Sequence, residues 1–216
     1  QEHGVDESDR LKTDGQYLYT SSISQAAIRI FKAESNAPLV GELSIKGLND
    51  NALISGLYLR TVQKQLIALA DDGASKGHNP EAWFSPYYWS DRKTEVTVLD
   101  VSKPSSPTQL KQLSLDGQLI SSRQIGSTLY LVTRHTAKVR GLIERPENAN
   151  AASLNRKIIA NSSLAELLPM YRAGGAQHDL FDPADCFYSG NQSNHTQHSI
   201  ISLLAVDLDQ TTLVPQ

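Results

Sequence analysis

Along most of the chain, apolar side chains recur at every second position in short runs. Turn-forming residues separate these runs. A period of two is the signature of half-buried β-strands. After the Thr13-Asp14-Gly15 turn, Tyr17 and Tyr19 alternate with Leu18 and Thr20, which predicts a strand over 16–21. The same pattern predicts strands over 27–31, 39–45, 53–59, 65–70, 94–101, 109–115, 119–125, 128–133 and 199–208. Glu34-Ser-Asn-Ala-Pro38 reads as a turn cluster, and Asp71-Asp72-Gly73 opens a long loop to Lys93. Between His135 and His198 the alternation stops. Inside that span Ser163-Leu-Ala-Glu166 has capping-box spacing and Pro169 ends the segment, which predicts one short helix.

The strands repeat. Ile28-Arg-Ile-Phe, Pro38 and Leu43-Ser-Ile-Lys-Gly47 lie over Val96-Thr-Val-Leu, Pro107 and Leu113-Ser-Leu-Asp-Gly117. A strand pair follows each glycine, at 54–59 with 65–70 and at 120–125 with 128–133. Leu204-Ala-Val-Asp-Leu matches Val98-Leu-Asp-Val, and Gly15-Gln-Tyr-Leu-Tyr matches Gly126-Ser-Thr-Leu-Tyr. Four short antiparallel strands per unit is the pattern of a β-propeller blade. Blades stack face to face, so middle strands should be apolar on both sides. Val96/Val98 with Leu99/Val101, and Leu129/Leu131 with Tyr130/Val132, fit this. The expected fold is therefore all-β, with two to three propeller-like blades in an incomplete ring. Residues 1–47 supply the first blade. Residues 48–117 supply the second, with a loop insertion at 71–93. Residues 118–216 supply the third, with a long insertion at 135–198. Closed propellers use about four to eight blades. The chain also starts at Gln1 without a methionine. Together these suggest a fragment of a larger propeller, completed by the remaining blades of a parent protein or by self-association.

Composition narrows the partners. The 216 residues are 39% hydrophobic with net charge -3, and mean hydropathy is -0.34. No Lys/Arg block is present to bind a phosphate backbone, which argues against nucleic acid. No apolar run approaches the roughly 18 residues of a membrane-spanning helix. The single cysteine, Cys186, has no partner within the chain for a disulfide.

The opening stretch Gly4-Val-Asp-Glu-Ser-Asp-Arg-Leu-Lys-Thr-Asp-Gly-Gln-Tyr-Leu-Tyr resembles the start of a family of secreted prokaryotic β-propeller-domain proteins, distant relatives of WD40 repeats. Val98-Leu-Asp-Val-Ser-Lys-Pro-Ser-Ser-Pro, and Leu115-Asp-Gly with Ser121-Ser-Arg and Leu129-Tyr-Leu-Val-Thr, resemble later segments of it. Ser8 stands where the family commonly has Ala, and Arg10-Leu11 where an aliphatic pair is common. The resemblance covers nearly the whole chain but only the N-terminal part of the family's domain. It implies export, as a secreted or envelope-anchored protein. It brings no catalytic residues and no cofactor.

Three groups carry possible chemistry. Asp6, Glu7, Asp9 and Asp14 crowd carboxylates into one loop, as a Ca²⁺ site would, but their spacing fails the EF-hand pattern. Turn hydrogen bonds and pairing with Arg10, Lys12 or Arg123 explain them more simply. His178, Asp182, His195 and His198, with Asp179, Asp185 and Cys186, form the richest set of metal-ligand types. Such a set would suit zinc in an extracytoplasmic hydrolase. Trp83, Phe84, Tyr87, Tyr88 and Trp89 crowd aromatic rings into the 71–93 loop, a candidate platform for a carbohydrate or protein ligand. Packing of the loop against its own blade is the plainer role. The sequence as a whole favours a non-catalytic binding or scaffolding module over a hydrolase.

Overall fold

The computed structural model describes residues 4–22, 24–72, 92–137, 139–143, 146–185 and 199–216. Strands β2 (Leu11–Thr13), β3 (Tyr17–Ser21), β4 (Ala27–Lys32) and β5 (Leu39–Ser44) form one antiparallel sheet in chain order, the first blade. In the second blade, β6 (Leu53–Arg60), β7 (Gln65–Asp72), β8 (Lys93–Asp100) and β9 (Thr108–Asp116) repeat that order. The third is built on β10 (Gln118–Ile125), β11 (Thr128–His135) and β14 (Ile200–Asp207). Pro215 bridges Val206 on the outer side of β14, where a fourth strand would lie. Among the described residues these sheets form no closed ring, as the strand pattern predicts.

The internal repeat is visible in the pairing register. Ile67 opposes Val98 in the second blade, Tyr19 opposes Ile30 in the first and Tyr130 opposes Ala205 in the third. One position earlier, Leu66 opposes Leu99, Leu18 opposes Phe31 and Leu129 opposes Val206. Side chains alternate across a strand, so each blade has two faces with these two sets of positions. The second blade buries both. On one side Leu57, Leu66, Ala68 and Leu99 pack with Tyr19, Ile28 and Ile30 of the first blade. On the other, Ile67, Leu69, Val96 and Val98 pack with Leu129, Leu131, Leu204 and Val206 of the third.

The structure departs from the sequence reading in three places. The second sheet has six strands, not four, because the 135–198 span contributes a hairpin of β12 (Met170–Ala173) and β13 (Ala176–Asp179) whose β12 pairs with β9. Four-residue strands are too short to show a period of two. The same span holds helix α1 (Ala149–Asn161), capped by Asn148, ahead of the predicted helix α2 (Leu164–Leu167). No residue of α1 is buried, so the segment has no apolar stripe to betray it. At α2 the capping box forms in both directions, between Ser163 and Glu166.

The third departure is the lead-in. Residues near the N-terminus do not all belong to the first blade. Strand β1 (Val5–Glu7) pairs with β10 of the third blade. Asp9 then bridges Leu57 on β6 of the second, and β2 enters the first. A single segment thus crosses the inner edges of all three blades. At Gly56 an added Cβ would sit 2.5 Å from Cβ of Ser8, so only glycine lets the segment pass. Lys12 Nζ donates to Asp6 (2.8 Å), Asp9 (3.1 Å) and the Glu7 carbonyl (2.7 Å). Arg123 pairs with Glu7 at 3.0 Å. The acidic run is therefore satisfied by cations of the fold itself.

Candidate functional site

The second and third blades leave equivalent positions at Asp72 and His135, the ends of β7 and β11. The long connections 73–91 and 136–199 therefore start from the same face of the blade stack. On that face the contact between the first and second blades opens into a cavity of about 550 Å³. Asp72, Lys93, Glu95, Gln112 and Ser114 of the second blade line it. Gly47 and Asn49 of the connector from the first blade, and Arg172 to Gly175 of the β12–β13 hairpin, complete the wall.

Glu95 is the most unusual group here. It sits on β8, opposite Ala70 and Ser114, on the face that the first blade covers. Only 3% of it is exposed. Ser114 Oγ donates to its Oε1 at 2.6 Å and Gln112 Nε2 to its Oε2 at 3.2 Å. Burial nevertheless disfavours the charge, and the Asp72 carboxylate adds to this, so its pKa is pushed up to about 7. A chain of amides continues from it. Gln109 Nε2 donates to Gln112 Oε1 at 3.1 Å, and the Lys46 backbone N–H of the first blade's connector donates to Gln109 Oε1 at 3.1 Å. Asp72, also buried, accepts from the Asn49 backbone N–H at 3.1 Å. These bonds hold the cavity's polar floor rigidly to both blades. The arrangement offers carboxyl, amide, hydroxyl and cationic groups to a polar ligand.

None of these residues stood out in the sequence. The one available signal was Glu95 within the Val/Thr/Leu run of β8, where both faces should be apolar. Of the groups the sequence did single out, Trp83, Phe84, Tyr87, Tyr88 and Trp89 lie outside the described residues, as do Cys186, His195 and His198. His178 stands on the exposed outer strand β13, stacked on Tyr171 with ring centroids 5.0 Å apart. Asp182 accepts from the Ala184 backbone N–H at 2.8 Å as a turn residue. Among the described residues no three His, Cys, Asp or Glu side chains gather as a metal site.

Four-stranded antiparallel sheets, stacked face to face and repeated along the chain, define a blade architecture. The family model of the beta propeller domain matches residues 1–215, and the chain belongs to that family. A comparison with curated proteins and with solved structures returned no match. Among the described residues no helix is long and apolar enough to cross a membrane.

Proposed function

We propose that this chain is a non-catalytic binding module of a protein exported to the cell envelope or beyond, and that its ligand docks on the face bearing the long connections. The cavity over Glu95 is the observation that supports this reading. Its lining converges from the six-stranded sheet, the connector at Gly47 and Asn49, and the C-terminal turn at Thr211, Thr212 and Leu213. Pre-formed concave sites with a few placed polar groups are the usual form of ligand pockets. Glu95, Gln112, Ser114, Lys93 and Arg172 supply both donors and acceptors, which suits the hydroxyls of a carbohydrate. The aromatic residues of the 71–93 connection would supply stacking surface to such a ligand.

An array bearing oligosaccharides and extended peptides, probed with the purified chain, tests this. Binding to an oligosaccharide is expected, weakened about tenfold by Arg172→Ala and by Trp89→Ala with the melting temperature unchanged. Each loss corresponds to about 1.4 kcal/mol. Release of cleaved products from the bound probe would turn the reading towards a hydrolase. Selective capture of peptides would move the ligand class to protein. Unchanged binding in both variants would remove the cavity from the argument.

A further inference from the structure

Asp72 and Glu95 are the most buried polar side chains lining the cavity, 6% and 3% exposed. Among the described residues neither has a counter-charge. Asp72 Oδ1 accepts the Asn49 N–H at 3.1 Å, and its Oδ2 accepts no hydrogen bond from a described residue. Glu95 accepts only from neutral groups, Ser114 Oγ and Gln112 Nε2. Carboxylates elsewhere at the blade contacts are paired. Asp71, the neighbour of Asp72 in β7, meets Arg92 at 3.2 Å, Asp209 meets Arg60 at 2.6 Å, and Asp6 and Asp9 share Lys12. A buried carboxylate without a cation is costly, and the raised pKa of Glu95 reflects that cost.

The cations that line the cavity are less buried and are turned elsewhere. Lys111 Nζ donates to the carbonyls of Leu208 (2.9 Å) and Gln210 (2.6 Å), and Arg172 donates to Gln177 Oε1 (2.7 Å). Lys93 stands opposite Asp72 in the strand register, yet forms a salt bridge with neither carboxyl. The cavity is therefore acidic at its floor and basic nearer the solvent. We infer that this floor takes the ammonium group of a ligand. Within the carbohydrate reading, on which this inference rests, the ligand is an amino sugar whose nitrogen is unacylated. An ammonium brings three N–H donors and no acceptor, which suits the open Oδ2 of Asp72 and the Glu95 carboxyl. The hydroxyls of the same sugar suit Lys93 and Arg172. Acylation would remove the charge and leave a single donor. Calcium fits the floor poorly, because two carboxyls fall short of the roughly six to eight oxygens it takes and three cations line the same cavity. Binding also moves a proton. A cation beside Glu95 favours its charged form, so the proton that Glu95 holds in the free protein passes to the buffer as the ammonium arrives.

Titration calorimetry on the intact chain just below neutral pH tests the inference with three probes: a glucosamine oligomer, its N-acetylated counterpart and a glucose oligomer of equal length. The glucosamine oligomer is expected to bind about tenfold more tightly than the other two. Its binding heat should change with the ionisation enthalpy of the buffer, in proportion to the proton released. Asp72→Asn and Glu95→Gln should each bring its affinity down to that of the N-acetylated oligomer, and Glu95→Gln should abolish the buffer dependence. Thermal melting of both variants shows whether they are folded. Equal affinity for all three oligomers overturns the inference and leaves the carbohydrate reading standing. A preference for the amine that survives in both variants also overturns it, since the ammonium is then held elsewhere. Binding of none of the three removes the carbohydrate reading and this inference together.

Discussion

The two contacts between blades are built from the same repeat yet end differently. The contact between the second and third blades is sealed. Ala173 and Leu180 from the long insertion, and Leu208 and Leu213 from the C-terminal turn, extend its core past the strands. Tyr58 closes its inner end with a buried hydrogen bond to Ser122 Oγ at 2.7 Å. The contact between the first and second blades has an apolar centre of similar make-up, but its end under the loop face is polar. There Glu95 takes the position at which the third blade has Ser202, and the space beside it stays open. The difference teaches that the blade repeat fixes the centre of each contact, while insertions decide whether its end becomes core or cavity.

Three changes would break or sharpen this contrast, beginning with the largest. Leu113→Ala removes a fully buried side chain from the apolar core of that contact. A loss of about 3 kcal/mol is expected in chemical denaturation. A loss under about 1 kcal/mol would mean that this contact is not sealed.

The second change tests the polar end. The folded-state pKa of Glu95 is about 7, above its ordinary value of 4.5. The folded protein therefore holds the extra proton between those values, and this contribution to stability is present at low pH and lost as pH rises through about 7. Glu95→Gln removes the dependence. Relative to the wild type it should be more stable by about 3 kcal/mol at pH 8, with the difference shrinking towards pH 4. Denaturation midpoints measured across that range decide it. Parallel pH profiles for the two proteins would show that Glu95 carries no proton at neutrality.

The smallest effect concerns the inner end. Tyr58→Phe leaves the ring in place and strips the hydroxyl that reaches Ser122. About 1 kcal/mol should be lost, read as a lowered denaturation midpoint with an unchanged slope. A change in slope would instead show that the two blades unfold separately.

Most of the strand skeleton was legible because burial on alternating faces writes a period of two into the sequence. The match of Leu204-Ala-Val-Asp to Val98-Leu-Asp-Val even placed β14 correctly after an insertion of more than half a blade's length. Segments that owe their structure to partners rather than to their own pattern were not legible. Val5–Glu7 is a strand only because β10 lies beside it. The β12–β13 hairpin exists at the outer edge of β9, and α1 buries nothing that could mark it. The cavity was hidden for a related reason. Glu95, Asp72 and Arg172 are far apart in the sequence, and only sheet register and the returning hairpin bring them to one wall. Arg123 was the exception. Its pairing with the acidic lead-in followed from charge alone, and the salt bridge to Glu7 is present.

The path of residues 5–13 across the inner edges also sets a timetable. Val5 pairs with Ile125 and Glu7 with Arg123, so β1 has no partner strand until β10 has been made. The first two blades are held by pairings between near neighbours in sequence and can assemble as they emerge. The lead-in stays unpaired until β10 arrives, and its closure is a long-range step of the kind that slows folding. Anything that engages Val5–Glu7 during synthesis meets a strand whose partner is not yet made.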